Sequence, residues 1–382
     1  MTRSASRPGG GPGGGPGGGS AGGAVRRATV AAVALALAAG LAACTPDAGS
    51  APAPTPTGPA ATELALSGDL RTHDPALVVG EDGEPWYVFS TGDQRVGLGS
   101  IQIRTSPDGR EWTDAGTVWK ASTRPEWVYE QIPGLTNFWA PELVENDGTW
   151  YLYYSASTFG SNRSLIGLYT NTTLDPSDPA YAWVDQGEVW RSTPGETNYN
   201  AIDPGIVEDA DGTPWMAFGS FWGGIQLVEL SWPSGKPADP AAEPVTIAAR
   251  RGAPHAIEAP YLVARDGWFY LVVSRDACCQ GTDSTYNMAV GRSREVTGPY
   301  VDRDGVPLLE DGGTPLLATR GDRVGPGGQS VSAGHLAFHY YDASLGGEPQ
   351  LAIRELAWDD EGWPVATTAQ EQAADAAGAD AG

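Results

Sequence analysis

Three acidic residues stand in one recurring setting: Asp74-Pro75, Asp203-Pro204 and Glu258-Ala259-Pro260. Proline has no amide hydrogen to give a strand ladder, so it belongs at the first position of a strand, and the acid before it is left at the strand's mouth. Carboxyl groups so placed can hold a cation through oxygen ligands, cap backbone amides at a turn, or work as general acid and base. The third reading draws on their mutual repulsion: neighbouring carboxylates disfavour each other's ionisation, so one stays protonated and can donate while another accepts. One acid per repeat at matching positions is hard to explain by turn chemistry alone. The aromatic corners nearby, Phe138-Trp139 and Ser220-Phe221-Trp222, offer flat faces of the kind that pack on sugar rings.

The elements that must position these acids are hairpins. Asn200 to Gly224 contains Asp203-Pro204, an apolar run, Asp211-Gly212, a second apolar run and the Ser220-Phe221-Trp222 corner. Asp-Gly between two apolar runs is a strong hairpin signal, because the tight turn needs positive φ. Related units run from Asp74 through Asp82-Gly83 to Trp86-Tyr87, from Pro141-Glu142 through Asp147-Gly148 to Trp150, and from Glu258 through Asp266-Gly267 to Trp268. A degenerate fifth runs from Gln329 through Gly334 to His339-Tyr340-Tyr341. Pro75, Pro141, Pro204 and Pro260 recur at intervals of 66, 63 and 56 residues, room for about four strands each. Helical periodicity is nearly absent. The expected fold is therefore all-β, a single-domain five-bladed β-propeller over 63–366, with the first strand of each blade innermost. Strand mouths then converge on one face, and Asp74, Asp203 and Glu258 meet there. Trp86, Trp150 and Trp268 read as blade packing.

The flanks and the charge narrow the setting. Residues 1–24 are almost all Gly, Ser, Pro, Ala and Arg. Arg26-Arg27 then precede an apolar run to Ala43 that ends in Leu41-Ala42-Ala43-Cys44. This reads as an export signal and resembles the bacterial lipoprotein signal, in which the Cys is lipidated; an ordinary signal peptide is the alternative. Residues 45–62 read as a Pro/Ala/Thr-rich linker, and 367–382 as a disordered tail. The expected location is outside the cell, as a surface lipoprotein anchored through Cys44 or as a secreted protein, and the chain meets a membrane only through that anchor. Beyond Cys44 the chain has 19 basic and 47 acidic residues, a net charge of −28, which excludes nucleic acid as a partner. Cys278-Cys279 lacks the spacing of a zinc site; two buried thiols are the simpler expectation and a vicinal disulfide the alternative. A chain of this length can hold itself together by burial as a monomer.

The runs HDPALVV (73–79), FWAPELV (138–144), STFGSNRS (157–164), NAIDP (200–204), GSFWGGI (219–225), IEAPYLV (257–263) and HYYD (339–342) resemble glycoside hydrolase family 43, and within it the arabinan endo-1,5-α-L-arabinosidases. STFGSNRS, GSFWGG and Cys278-Cys279-Gln280-Gly281 carry the narrower likeness. The resemblance spans Leu64 to Pro364 and implies a five-bladed propeller that cleaves arabinan or arabino-oligosaccharides with inversion. It implies Asp74 as general base, Glu258 as general acid, and Asp203 as the acid that orients Glu258 and raises its pKa; inversion requires base and acid about 6.5–9.5 Å apart. It also implies that Asn200, Ala201, Ile202, Ser220, Phe221 and Trp222 hold the sugar. An exo-acting α-L-arabinofuranosidase or β-xylosidase and a non-catalytic glycan-binding lipoprotein are the alternatives.

No cofactor is implied for the chemistry, but many members carry Gly-Pro-Gly-His on the fifth blade and hold an axial calcium with that His. Here the run is Gly325-Pro326-Gly327-Gly328, followed by Gln329. A weak ion supported by water and Gln329, or none, is expected. Among the histidines, His339 aligns with Gly219 near the pocket corner and is the candidate to touch substrate, with a packed strand histidine as the alternative.

Overall fold

The computed structural model describes residues 58–81 and 83–379. The expected export signal, Cys44, residues 45–57 of the expected linker, and Asp82 lie outside the described residues.

Five sheets built from antiparallel hairpins form a ring, and the five-bladed expectation holds. The innermost strands are Ala76–Val78, Trp139–Asn146, Gly205–Glu208, Ile257–Arg265 and Arg323–Ser332, on blades 1 to 5 in that order. Each pairs with a second strand: Trp86–Ser90, Thr149–Ala156, Pro214–Phe218, Trp268–Arg275 and His335–Asp342. The hairpins close as their turn residues dictate. Asp147-Gly148, Asp266-Gly267 and Ala333-Gly334 all have positive φ at both positions, matching the right-handed twist of the strands they join. Blade 3 departs from the expected tight Asp211-Gly212 turn: the side chain of Asp209 receives the amides of Asp211 and Thr213 and organises a wider loop.

The two ends of the domain meet in one blade and close the ring. Thr62–Glu63, from the start of the domain, pairs with Glu355 and Arg354 and supplies the outer strand of blade 5. Neighbouring blades are cemented by one apolar cluster at each interface. Trp119, Phe138, Tyr154 and Tyr169 fill the wedge between blades 1 and 2, and Leu77, Trp112, Leu351 and Ile353 fill that between blades 5 and 1. Trp86, Trp150 and Trp268 pack against such clusters, as expected.

The tail corrects the sequence reading. Ala369–Ala379 is a helix, not disordered chain. Thr368 and Glu371 form a reciprocal capping box, the Glu371 amide on Thr368 Oγ and the Thr368 amide on the Glu371 carboxylate. Arg354, buried on blade 5, grips that carboxylate with two hydrogen bonds of 2.8 Å, and Arg320 pairs with Asp375.

Candidate active site

The mouth is built from one backbone device repeated round the ring. Asp74, Ala140, Asp203, Ala259 and Gly328 stand at its five inner-strand positions, all in the left-handed region with φ of 51, 37, 59, 49 and 58°. Such a backbone costs a non-glycine residue about 1–2 kcal/mol, and here four amides turned by it are received by the second strand of the preceding blade. Ala140 N–H donates to Thr91 Oγ, Asp203 N–H to Ser155 Oγ, Gly328 N–H to Ser274 Oγ and Asp74 N–H to His339 Nδ1, at 2.9–3.1 Å. The fifth, Ala259 N–H, donates to Asp203 Oδ2 at 3.1 Å.

This register corrects the expected equivalence of the three acids. Asp74 and Asp203 occupy matching positions, but their counterpart on blade 4 is Ala259. Glu258 lies one residue earlier, where the blade 4 ladder shifts register between Glu258 and Tyr261 and a bridge joins Glu258 to Ser220 of blade 3.

The three carboxyls differ in environment. Asp74 Oδ2 receives Thr91 Oγ at 2.6 Å and His73 Nδ1 at 2.7 Å. Burial alone would raise its pKa, but the charge and hydrogen bond of His73, the His339 ring and the Thr91 hydroxyl outweigh that and hold it at about 2, so Asp74 is ionised. Asp203 is pushed well above the carboxylate range by burial first, then by the charges of Glu258 and Asp74. Burial also raises Glu258, with a smaller push from Asp74, while hydrogen bonds from Ser220, Oγ to Oε2 at 2.7 Å, and from Tyr286 pull the other way. One ionised acid therefore faces a pair that resists ionisation. Asp203 acts on Glu258 through the backbone as well, since its carboxyl holds the amide of the next residue.

These acids line a cavity of about 1000 Å³ at the ring's mouth. Of the residues expected to hold substrate, Trp139, Asn200, Ile202, Ser220, Phe221 and Trp222 also line it. Three do not. Phe138 is fully buried, edge-on to Trp119 at 4.7 Å, because adjacent strand residues face opposite ways and Trp139 has the pocket side. Ala201 is fully buried at the centre of a tight turn in which the Ile202 amide donates to the Asn200 carbonyl at 3.0 Å. His339 is fully buried behind Asp74, receiving its amide and stacking on His73 at 3.7 Å; it does the work that a Ser or Thr does on the other blades. Sequence reading missed Thr91, Ser155, Tyr286 and Tyr341, polar groups on or beside second and third strands that serve the acids or their neighbours. It also missed Phe159, 83 % exposed at the rim. Cys278 and Cys279 form a vicinal disulfide in the pocket wall, contrary to the simpler expectation of two thiols. Cys279 adopts φ 67° there.

The described residues do not fit an axial calcium. A Cβ on Gly328 would overlap Asp74 Oδ1 and stand 2.8 Å from the His339 ring, so no side chain can project there. Gln329 is committed at both ends, Nε2 to the Ala259 carbonyl at 2.6 Å and Oε1 to Ser274 Oγ at 2.8 Å. His73, Asp74 and His339 cluster within 4.8 Å, but two imidazoles and one carboxylate are a poor set for a cation that favours oxygen. Moreover His339 Nδ1 is an acceptor of the Asp74 amide, which leaves Nε2 as an N–H without ligand capacity.

Comparison with known proteins agrees with this geometry. The chain is 42 % identical over 296 residues to an extracellular endo-α-(1→5)-L-arabinanase of Bacillus subtilis, covering 76 % of this chain and 86 % of that protein. It is 38 % identical over 308 residues to an extracellular exo-α-(1→5)-L-arabinofuranosidase of Cellvibrio japonicus, covering 77 % and 86 %. A solved family 43 endo-arabinanase of Bacillus licheniformis superposes with a TM-score of 0.72 at 40 % identity, over 79 % of this chain and 99 % of that one. The model of glycosyl hydrolases family 43 matches residues 68–364, all five blades' inner strands included. With its propeller, its three mouth acids and these relatives, the chain belongs to glycosyl hydrolases family 43.

Proposed function

We propose that this enzyme hydrolyses α-1,5-L-arabinofuranosyl linkages within arabinan, with inversion at the anomeric carbon. The observation that carries the mechanism is the contrast among the acids: Asp74 held ionised by His73 and Thr91, opposite a half-buried Asp203 and a buried Glu258 held toward the protonated form. Asp74 takes a proton from water as that water attacks the anomeric carbon. Glu258, steadied by Ser220 and Tyr286, gives its proton to the departing glycosidic oxygen. Asp203 keeps Glu258 in place through the Ala259 amide, and its own resistance to ionisation leaves a proton available to the pair. Trp139, Phe221 and Trp222 supply faces for the furanose rings. The endo mode draws support from the names of the Bacillus relatives, while the exo name of the Cellvibrio relative marks the second reading.

Asp74→Asn, Asp203→Asn and Glu258→Gln should each lower turnover of linear 1,5-arabinan by about 100- to 10,000-fold with the fold intact. Wild-type turnover in a folded variant would remove that residue from the mechanism. Early products separate the modes: a spread of oligomers for endo attack, one product for exo.

Export and lipidation at Cys44, with a monomeric catalytic domain of about 63–366 beyond a spacer, complete the proposal. The extracellular names of the relatives support export. Labelling with a radioactive fatty acid tests the anchor: wild type should take up label and Cys44→Ala should not.

A further inference from the structure

A directed chain of hydrogen bonds links the pocket-wall disulfide to Asp74. Cys279 N–H donates to Tyr341 Oη at 2.8 Å, Tyr341 Oη is 2.8 Å from His73 Nε2, and His73 Nδ1 is 2.7 Å from Asp74 Oδ2. The inventory of donors assigns the protons. An ionised carboxylate only accepts, so His73 carries its hydrogen on Nδ1 and gives it to Asp74. In the neutral ring, the phenol that receives the Cys279 amide donates onward to Nε2; in the imidazolium it accepts instead. Nδ1–H stays on Asp74 in both states. The His73 ring has little freedom besides, stacked on the buried His339 at 3.7 Å with Cys279 Sγ 3.9 Å from Nε2. Because Thr91 and His73 both donate to Oδ2, Oδ1 remains as the oxygen available to take a proton from water.

We propose that His73 and Tyr341 are positioning residues for the base Asp74, and that the Cys278–Cys279 disulfide is the outer anchor that holds this chain in register. The proposal rests on the reading of Asp74 as the base. The disulfide fixes the backbone that aims the Cys279 amide at Tyr341. Opening it frees that amide to turn away, and Tyr341 then no longer fixes His73. The groups facing Asp74 and His73 are His339 from blade 5, Thr91 from blade 1, Asp203 from blade 3 and Glu258 from blade 4, with Tyr286 against His339. None of these is altered in the test that follows.

The test measures kcat and KM on linear 1,5-arabinan for wild type, Tyr341→Phe, His73→Ala and His73→Asn, each with and without a water-soluble phosphine. The phosphine becomes its oxide with oxygen from water while each sulfur gains one hydrogen. Tyr341→Phe should lose about tenfold in kcat with KM within about twofold, since small misplacements at a reacting group are costly in rate. Reduction should cost wild type a similar factor and add nothing to Tyr341→Phe, because both break the same chain. His73→Ala should lose more, and the acid limb of its kcat/KM profile should move up toward the ordinary carboxylate range. His73→Asn, whose amide can replace Nδ1–H, should recover most of both losses. Multiplying effects of reduction and Tyr341→Phe, a change confined to KM, or wild-type kcat in Tyr341→Phe would overturn the proposal. If Tyr341→Phe does not fold, the Cys278→Ala/Cys279→Ala double variant and the His73 pair decide it: the cysteine variant must match reduced wild type. Asp74→Asn separates the two claims, because full turnover there would sink the base assignment itself.

Discussion

Gly328→Ala is a one-methyl change that should act mainly on catalysis. At φ 58° the new side chain costs about 1–2 kcal/mol through its backbone alone, which for a domain of this size lowers Tm by about 2–3 °C. The larger effect is steric. Real Cβ atoms essentially never approach another heavy atom within 3.0 Å, yet this one would overlap Asp74 Oδ1 and lie 2.8 Å from His339. His339 is fully buried and Asp74 is pinned by Thr91 and His73, so relief must come from a shift of the Asp74 carboxyl by about 1 Å. A displacement of that size at a reacting group is worth about 100-fold in rate. Steady-state kinetics on linear 1,5-arabinan beside a thermal melt reads both effects. Gly305→Ala is the control: it has φ 81° and open space around its Cβ, so it should lose stability and keep kcat. If Gly328→Ala matches Gly305→Ala in kcat, Gly328 is not needed to seat Asp74 and the reasoning fails.

Trp222→Ala should raise KM about tenfold with kcat little changed and the melt unmoved, as expected when uniform binding is lost; a collapse in Tm would make Trp222 a core residue. Glu142, buried on blade 2, has its pKa raised to about 8 by burial against weaker hydrogen bonds from Ile206, Tyr261 and Leu143. A carboxyl raised in the folded state favours folding least once the unfolded chain ionises, so stability should fall as pH rises from about 4.5 to about 8. Glu142→Gln should remove that slope, gaining about 3 kcal/mol at pH 7 and little at pH 4 by chemical denaturation. Parallel curves for the two proteins would show that Glu142 does not cause it. Activity should survive exhaustive dialysis against a chelator; loss restored by calcium would mean that groups other than Gln329 and the His73 cluster hold an essential ion.

The parts of this architecture that were legible in sequence are those set by local chemistry. Pro75, Pro141, Pro204 and Pro260 mark strand starts because proline cannot serve a ladder's interior, and Asp-Gly pairs mark turns because they tolerate positive φ. From these the repeat, the ring and the meeting of Asp74, Asp203 and Glu258 followed. What was misread depends on which way a side chain points. Phe138 and Ala201 read as pocket residues with their neighbours, but the alternation that begins at Trp139 sends Phe138 inward and a tight turn does the same for Ala201. His339 aligns with Gly219 in the repeat, but it is buried and its partner is the Asp74 amide. Setting Thr91, Ser155, Ser274 and His339 side by side as second-strand acceptors would have shown their common role. The tail's Thr368-x-x-Glu371 box was visible, but its weight comes from Arg354, which only the fold brings near. Adjacency alone leaves Cys278 and Cys279 open to either state, so the disulfide could not be chosen over two thiols.

The most direct test of the account is the anomeric configuration of the first product. Proton NMR, recorded within the first turnovers on a linear α-1,5-arabino-oligosaccharide and before mutarotation, should show the new reducing end as the β-anomer, because water activated by Asp74 attacks the face opposite the oxygen protonated by Glu258. An initial α-anomer would mean a covalent intermediate, and Asp74 could not then be the base that the mouth's geometry makes it.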